Sequence, residues 1–375
     1  MRIGINATSL NDRPSGARQR FVGLYGELFR AHPEHEYVIY EPSDCRIADW
    51  FPGLPNVRGV ATPLPSTSRW RRFARGIGLW RRLLTRDRLD CFEVLHLPLM
   101  RAPNCPTILT VHDARPVLGD VPFVRRALYR YILRRSLRRA DAVITVSNKM
   151  RADLISLEPL ARVSTIHNGI DPAPFLITKG LAAGTEAPFL LAVGHFEPRK
   201  NYDTLVRAFA LIAARSDAPR LVIVGKDGGT LEATSLLVKA LRLADRVDLL
   251  NDVGDEQLID LYRAASILVF PSTYEGFGIP LLEAMAADLP MALSNVAVFR
   301  ELTEDRAAYF DPLNADAMAS VLLDLLGSPE RQADQRAYGR LRVYDFDFST
   351  LAGQLEALHC RVLAQATGTL SGKRH

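Results

Sequence analysis

I-L-V-F-P-S-T-Y-E-G-F-G-I-P-L-L-E-A-M-A-A, residues 267–287, runs from a short apolar strand pattern through a glycine-rich turn into a helical pattern. Its two carboxylates, Glu275 and Glu283, stand eight positions apart. On one unbroken helix they would point about 80° away from each other. Pro280 argues against one helix: its missing N–H is tolerated in a first helical turn, and Gly276 and Gly278 permit a tight loop before it. The stretch therefore predicts Glu275 on a loop and Glu283 in the first turn of a helix. Between them lie the N–H groups of a helix N-terminus, which favour an anionic ligand, phosphate above all. That favours a pair that grips a ligand. Two alternatives stand beside it, an acid and a base flanking a scissile bond and two solvated surface charges.

The strand-then-helix pattern recurs on both sides. R-I-G-I-N (2–6), Y-V-I-Y (37–40), T-I-L-T-V (107–111) and A-V-I-T-V (142–146) alternate with longer helical patterns. The alternation resumes with F-L-L-A-V (189–193), L-V-I-V (221–224), V-D-L-L (247–250), I-L-V-F (267–270) and M-A-L (291–293). Nearly continuous apolar strands between helices predict parallel sheets covered on both faces, in two successive α/β units. A length of 375 residues also points to two domains. The linker is placed at 178–188, T-K-G-L-A-A-G-T-E-A-P, for its small residues, its glycines and its closing proline. A ligand is expected at the carboxyl ends of the strands, in the cleft between the domains.

Composition narrows the class. The chain is 48% apolar and 24% charged, with no apolar run near the roughly 18 residues that span a bilayer. The start, M-R-I-G-I-N-A-T, is too short and polar for a signal peptide, so a cytoplasmic protein is expected. Cys45, Cys91, Cys105 and Cys360 have no C-x-x-C spacing and are read as reduced thiols. A net charge of +5 fits nucleic acid, an anionic membrane surface or a phosphorylated substrate.

Location decides among these. G-H-F-E-P-R-K-N-Y at 194–202 follows a strand and precedes a helix, so Arg199 and Lys200 form either a diphosphate clamp or an exposed basic turn. His112 and Asp113 end the strand T-I-L-T-V, as a substrate contact or a strand-end pair. Ser15 and Gly16 form a phosphate-approaching loop or a capped turn. G-x-x-x-x-G-K-[ST] is missing and G-x-G-x-x-G does not follow the first strand, which disfavours P-loop and NAD chemistry. Asp345-Phe346-Asp347 resembles a D-x-D metal motif, but its place in a polar run far from a strand end marks it as structural.

Two arginine-rich helices remain. R-W-R-R-F-A-R-G-I-G-L-W-R-R-L-L-T-R at 69–86 places Trp70, Phe73, Ile77, Trp80 and Leu84 on one stripe, with Arg71, Arg72, Arg75 and Arg82 facing away. It suits either anionic lipid or a helix packing on the first sheet. The segment 125–141 is expected to cover the core through Leu128, Ile132, Leu133 and Leu137. Neither carries a known nucleic-acid motif, and no nucleic-acid partner is expected.

Taken together, T-V-H-D (110–113), V-S-N-K-M-R-A-D-L (146–154), H-N-G-I-D (167–171), V-G-H-F-E-P-R-K-N (193–201) and F-P-S-T-Y-E-G-F-G-I-P-L-L-E-A-M-A (270–286) resemble the retaining glycosyltransferases of family 4. The last segment is that family's E-x7-E signature. Within the family the chain is similar to the group 1, mannosyltransferase-like enzymes of bacterial polysaccharide biosynthesis. The resemblance implies an α/β GT-B fold, two Rossmann-like domains facing across a cleft. An acceptor-side domain would span 1–180 and a donor domain 187–348, with a C-terminal helix from about 349 crossing back to the first. It implies transfer of a hexose, mannose or glucose, from a nucleotide diphosphate sugar to a glycan acceptor, lipid-linked and at the inner membrane surface if 69–86 binds lipid. A soluble-acceptor synthase and a disaccharide phosphorylase of the same fold are the alternatives. No cofactor or metal is implied.

By that resemblance Glu275 would contact donor-sugar hydroxyls and Glu283 the ribose. Gly276, Phe277, Gly278 and Ile279 would present main chain to sugar and diphosphate. Lys200, with Arg199, would hold the diphosphate, His112 would approach the transferred sugar, and Gly16 would lie near the diphosphate or acceptor. Three positions depart from the family pattern: His195 where Arg is common, S-G-A-R-Q-R-F in place of a double glycine, and A-D-L-P with Asp288 where Gly is usual.

Overall fold

The computed structural model describes all residues except 14, 68, 115–121, 177–187, 216–217 and 372–375, and no side chains of 69–77 or 367–371. The linker placed at 178–188 falls outside the described residues but for Pro188. The chain divides into two compact units, Met1–Gly169 with Phe348–His375, and Ile170–Asp347.

The first unit is built on a seven-stranded sheet of β1 (Arg2–Asn6), β2 (Glu36–Glu41), β3 (Val57–Ala61), β4 (Cys91–Val94), β5 (Thr107–Val111), β6 (Ala142–Thr145) and β7 (Val163–Thr165). Their order is β3-β2-β1-β4-β5-β6-β7, and every pair is parallel. β1 and β5 are apolar runs because helices cover both faces of the sheet, and Ile3, Ile5 and Ile108 are fully buried. β3, β4 and β7 escape the apolar-run criterion. β3 is a half-exposed edge strand containing Arg58 and Gly59, β7 is a three-residue edge strand, and central β4 carries the fully buried Glu93.

The chain's last helix, Phe348–Ser371, belongs to this unit. Its Leu351, Ala352, Leu355 and Leu358 join the same core as Ile3, Leu24, Tyr37 and Ile144. Leu355 is fully buried, so Leu355→Ala should destabilise this unit by about 2–5 kcal/mol, read from chemical denaturation.

The two arginine-rich helices pack differently. In Arg69–Asp87 the stripe was expected either on lipid or on the sheet. Its described members Trp80 and Leu84 are 3% exposed, with the Trp80 ring 5.3 Å from Tyr40 and 5.8 Å from Phe92. That half of the helix packs on the sheet and leaves Arg82 outside, whereas Trp70, Phe73, Ile77, Arg71, Arg72 and Arg75 fall outside the described side chains. In Phe123–Arg139 only the second half covers the core. Leu133 and Leu137 are buried, while Leu128, expected in the same stripe, is 49% exposed.

The second unit has six strands, β8 (Phe189–Val193), β9 (Arg220–Val224), β10 (Val247–Leu250), β11 (Ile267–Phe270), β12 (Met291–Ser294) and β13 (Ala308–Phe310), ordered β10-β9-β8-β11-β12-β13 and all parallel. From β8 the chain moves outward through β9 to β10, then returns to β11 and moves the other way. The direction of winding thus reverses between β8 and β11, which opens a crevice at their carboxyl ends. Asp345 is tied to Arg342 at 2.7 Å and Phe346 is buried between the two aspartates of the D-x-D sequence.

Candidate active site

The two loops that leave β8 and β11 meet in the second unit. After β8 the chain makes a one-turn helix, Pro198–Lys200, and stops at Asn201, whose φ of +57° is left-handed, a conformation that asparagine tolerates better than most residues. The Asn201 amide donates to the carbonyls of Pro271 (3.2 Å) and Pro312 (2.6 Å), and Thr273 N–H donates to the Arg199 carbonyl at 2.9 Å. Tyr202 donates to the Gly194 carbonyl at 2.8 Å from a fully packed position. Both loops are therefore fixed to each other at the crevice.

This geometry brings Arg199 and Lys200 onto Glu275, from far away in sequence. Arg199 Nη1 lies 2.5 Å and Lys200 Nζ 2.8 Å from Glu275 Oε1, and Arg199 Nε donates to Glu197 at 2.8 Å. Lys200 is only 5% exposed and its ammonium sits over the Phe270 ring, 4.4 Å from the centroid. Burial alone would raise the Glu275 carboxyl, but the Lys200 and Arg199 charges outweigh it and hold the group below its ordinary value. Burial lowers the Lys200 ammonium despite the Glu275 charge. The cluster thus offers a fixed carboxylate acceptor and two cations at one point. That arrangement suits a ligand with hydroxyls beside phosphates.

The turn after Glu275 is set by Gly278, which caps the helix Ile279–Ala286 with φ +126°, a conformation open to glycine, while Phe277 is buried against Phe346. Pro280 lies in the first turn, as expected, and Glu275 is on the loop. Glu283, expected in the first turn, is the fifth residue of this helix and so falls in its second turn, because the helix begins at Ile279. Its carboxylate accepts a 2.6 Å hydrogen bond from Tyr262, a partner that the sequence did not single out. Burial pushes the Glu283 carboxyl up to about 7, against the lowering effect of Tyr262. One close approach in the crevice is backbone to backbone. A Cβ on Gly225, just past β9, would stand 1.9 Å from the Gly194 carbonyl oxygen. Gly225→Ala should displace the 194–201 loop at a cost of about 1–3 kcal/mol, seen in thermal unfolding.

The first unit places its own candidates. Gly16 is the exposed first residue of the helix Gly16–Arg20, and Ser15 Oγ accepts from Arg18 N–H at 3.2 Å. His112 follows β5, and burial beside the Arg20 charge pushes its imidazole down to about 3, so it is a neutral hydrogen-bonding group at pH 7. The winding of this sheet reverses between β1 and β4. There Thr8 Oγ1 donates to Asn6 at 2.7 Å and lies 3.2 Å from His96 Nε2. H-L-P at 96–98 was the available signal for His96, but it required reading 91–94 as a strand. Glu93 in that strand accepts from Tyr25 (2.5 Å) and Thr110 (2.7 Å) and lies 3.3 Å from His359 Nε2.

Comparison with known proteins adds a family. Residues 24–174 match Glycosyltransferase Family 4 and residues 176–342 match Glycosyl transferases group 1. The O-antigen chain mannosyltransferase RfbU of Salmonella typhimurium is 31% identical over 264 residues, covering 69% of this chain and 70% of that protein. Among solved structures, sucrose-phosphate synthase from Thermosynechococcus elongatus superposes with a TM-score of 0.78 at 21% identity, over 97% of this chain and 99% of that one. Anabaena HepE, solved with UDP and glucose, gives 0.71 at 16% identity, over 96% and 99%. Such structural likenesses at low identity speak to the fold, which is the GT-B fold. On the family matches and the relative, the chain is a glycosyltransferase and belongs to the group 1, family 4 glycosyltransferases.

Proposed function

We propose that this glycosyltransferase moves a hexose, mannose by preference, from a nucleoside diphosphate sugar to a glycan acceptor with retention of anomeric configuration. The observation that carries this reading is the Arg199–Lys200–Glu275 cluster at the β8/β11 reversal. Glu275 accepts from sugar hydroxyls, while Lys200 and Arg199 meet the charge that grows on the departing diphosphate. Glu283 takes the ribose hydroxyls. The bond from C1 to the phosphate oxygen breaks as C1 bonds the acceptor oxygen on the same face, and the acceptor's proton goes to the leaving phosphate. No side chain is then needed as a dedicated base. His112, neutral at pH 7, serves as a polar contact to the sugar. Mannose is favoured by the similarity to RfbU.

A lipid-linked acceptor is supported by the helix Phe123–Arg139. Phe123, Val124 and Tyr131 are 74%, 79% and 62% exposed on a segment with seven arginines and no acidic residue. That combination suits anionic lipid and supports a membrane contact through this helix. No described helix is long and apolar enough to cross a membrane.

Stability shifts with UDP, GDP, ADP and dTDP and their sugars should identify the donor, since a ligand that prefers the native state raises Tm. NMR of the product from that donor and a lipid-linked glycan should show the donor's anomeric configuration kept. Inversion, or transfer to a free sugar with none to the lipid-linked glycan, would contradict the reading.

A further inference from the structure

The turn H-P-E-H, 32–35, joins the helix Gly26–Ala31 to β2 in the first unit and contains no residue given a role above. Its donors converge. His32 Nδ1 is 3.1 Å and His35 Nδ1 3.7 Å from Glu34 Oε1, and one ligand atom from each of the three residues lies within 4.8 Å of the others. The imidazoles stack with centroids 5.4 Å apart and planes 12° from parallel. A tetrahedral ion with metal–nitrogen and metal–oxygen bonds of about 2.0–2.2 Å needs donors about 3.3–3.5 Å apart, which the two measured separations bracket.

Two further features distinguish this turn from an ordinary polar corner. His35 Nε2 lies 2.9 Å from Glu356 on the C-terminal helix, and these two side chains are 11% and 13% exposed. A carboxylate on the far nitrogen fixes the tautomer, leaves the Nδ1 lone pair facing Glu34 and makes the imidazole a better ligand. His32 and Glu34, at 27% and 59% exposure, leave an approach from solvent. The Met1 nitrogen lies 3.2 Å from His35 Nδ1, a hydrogen bond that an ion would displace. Two imidazoles with one carboxylate suit Zn(II) and its neighbours in the first row better than Mg(II) or Ca(II).

We infer that His32, Glu34 and His35 form a Zn(II)-type metal site, with water completing the coordination and Glu356 as the positioning residue for His35. Because Glu356 lies on the C-terminal helix, a bound ion tightens the hold between that helix and the 32–35 turn. The site is independent of the donor-side chemistry.

The test uses the full chain, tag-free and stripped with chelator. Zn(II) titration should show one saturable equivalent and a raised Tm. Co(II) in its place should show the intense visible bands of a four-coordinate ion. His32→Gln combined with His35→Gln should abolish both responses, and Glu356→Gln should weaken binding about 10–100-fold at unchanged stoichiometry. Unsaturable binding, a six-coordinate Co(II) spectrum, or undiminished binding by the double variant would overturn the site. The wild-type Co(II) spectrum decides the matter even if a variant does not fold.

Discussion

Lys200→Ala should lower kcat/KM for sugar transfer by about 100–1,000-fold, the usual loss when one preorganised donor to a developing anion is removed. On the proposed reading Lys200 acts on the leaving diphosphate, and its charge there is only weakly screened because Glu275 and the Phe270 ring hold it nearly out of water. Lys200→Arg should rescue little, since a planar guanidinium does not fit the compact position over the Phe270 ring. Glu275→Gln should lose transfer as well. It removes the carboxylate that compensates a buried ammonium, a change that typically costs about 3–5 kcal/mol, so stability has to be measured beside activity. Lys200→Met combined with Glu275→Gln separates the two effects, because no buried charge is then left alone. That double variant should regain stability and stay inactive. Single-turnover donor consumption and denaturation of the same samples check both points. A Lys200→Ala enzyme within tenfold of wild type would remove Lys200 from the chemistry.

How much of this was legible differs from residue to residue. The strands β1, β5, β8, β9 and β11 read directly as apolar runs, since burial on both faces leaves no polar alternation. β4 did not, because its Glu93 is satisfied by Tyr25, Thr110 and His359 from three other elements, none of them near it in sequence. With β4 unread, the reversal between β1 and β4, and His96 with it, stayed hidden. The E-x7-E segment gave the loop, the proline-started helix and both carboxylates. It could not give the contact of Glu275 with Arg199 and Lys200, which depends on β8 and β11 being neighbours. Tyr262 was invisible because its contact with Glu283 depends on how the helices before and after β11 pack against each other. In Phe123–Arg139 a helical stripe identified residues sharing a face, but only tertiary packing sets how many turns of that face are covered. The Asp288 departure has a local explanation. The residue sits at φ +55°, where glycine is at ease and aspartate is tolerated, and Arg340 pairs with its carboxylate at 3.0 Å.

Glu283 should make donor affinity depend on pH through neutrality. Ribose hydroxyls donate to an ionised carboxylate, whereas the free protein holds this carboxyl near pH 7 by burial. Affinity for the intact sugar nucleotide should therefore be level above pH 8 and weaken by up to about tenfold per unit below 7, the limit in which only the ionised form binds. The sugar nucleotide is the right probe, as its diphosphate has no group titrating in that range. Stability should move the opposite way. The folded value is raised above the ordinary 4.5, so the favourable contribution of this group is complete below 4.5 and is lost as pH rises to 7, by roughly 3 kcal/mol. Glu283→Gln should abolish both dependences and bind donor weakly at every pH. Tyr262→Phe removes the hydrogen bond that favours the ionised form, and should shift the affinity midpoint upward by about one pH unit. Isothermal titration from pH 6 to 8.5, with denaturation from pH 4.5 to 8.5, measures both. An affinity profile unchanged by Glu283→Gln would remove the ribose from this carboxylate and would require the nucleotide to be held elsewhere in the crevice.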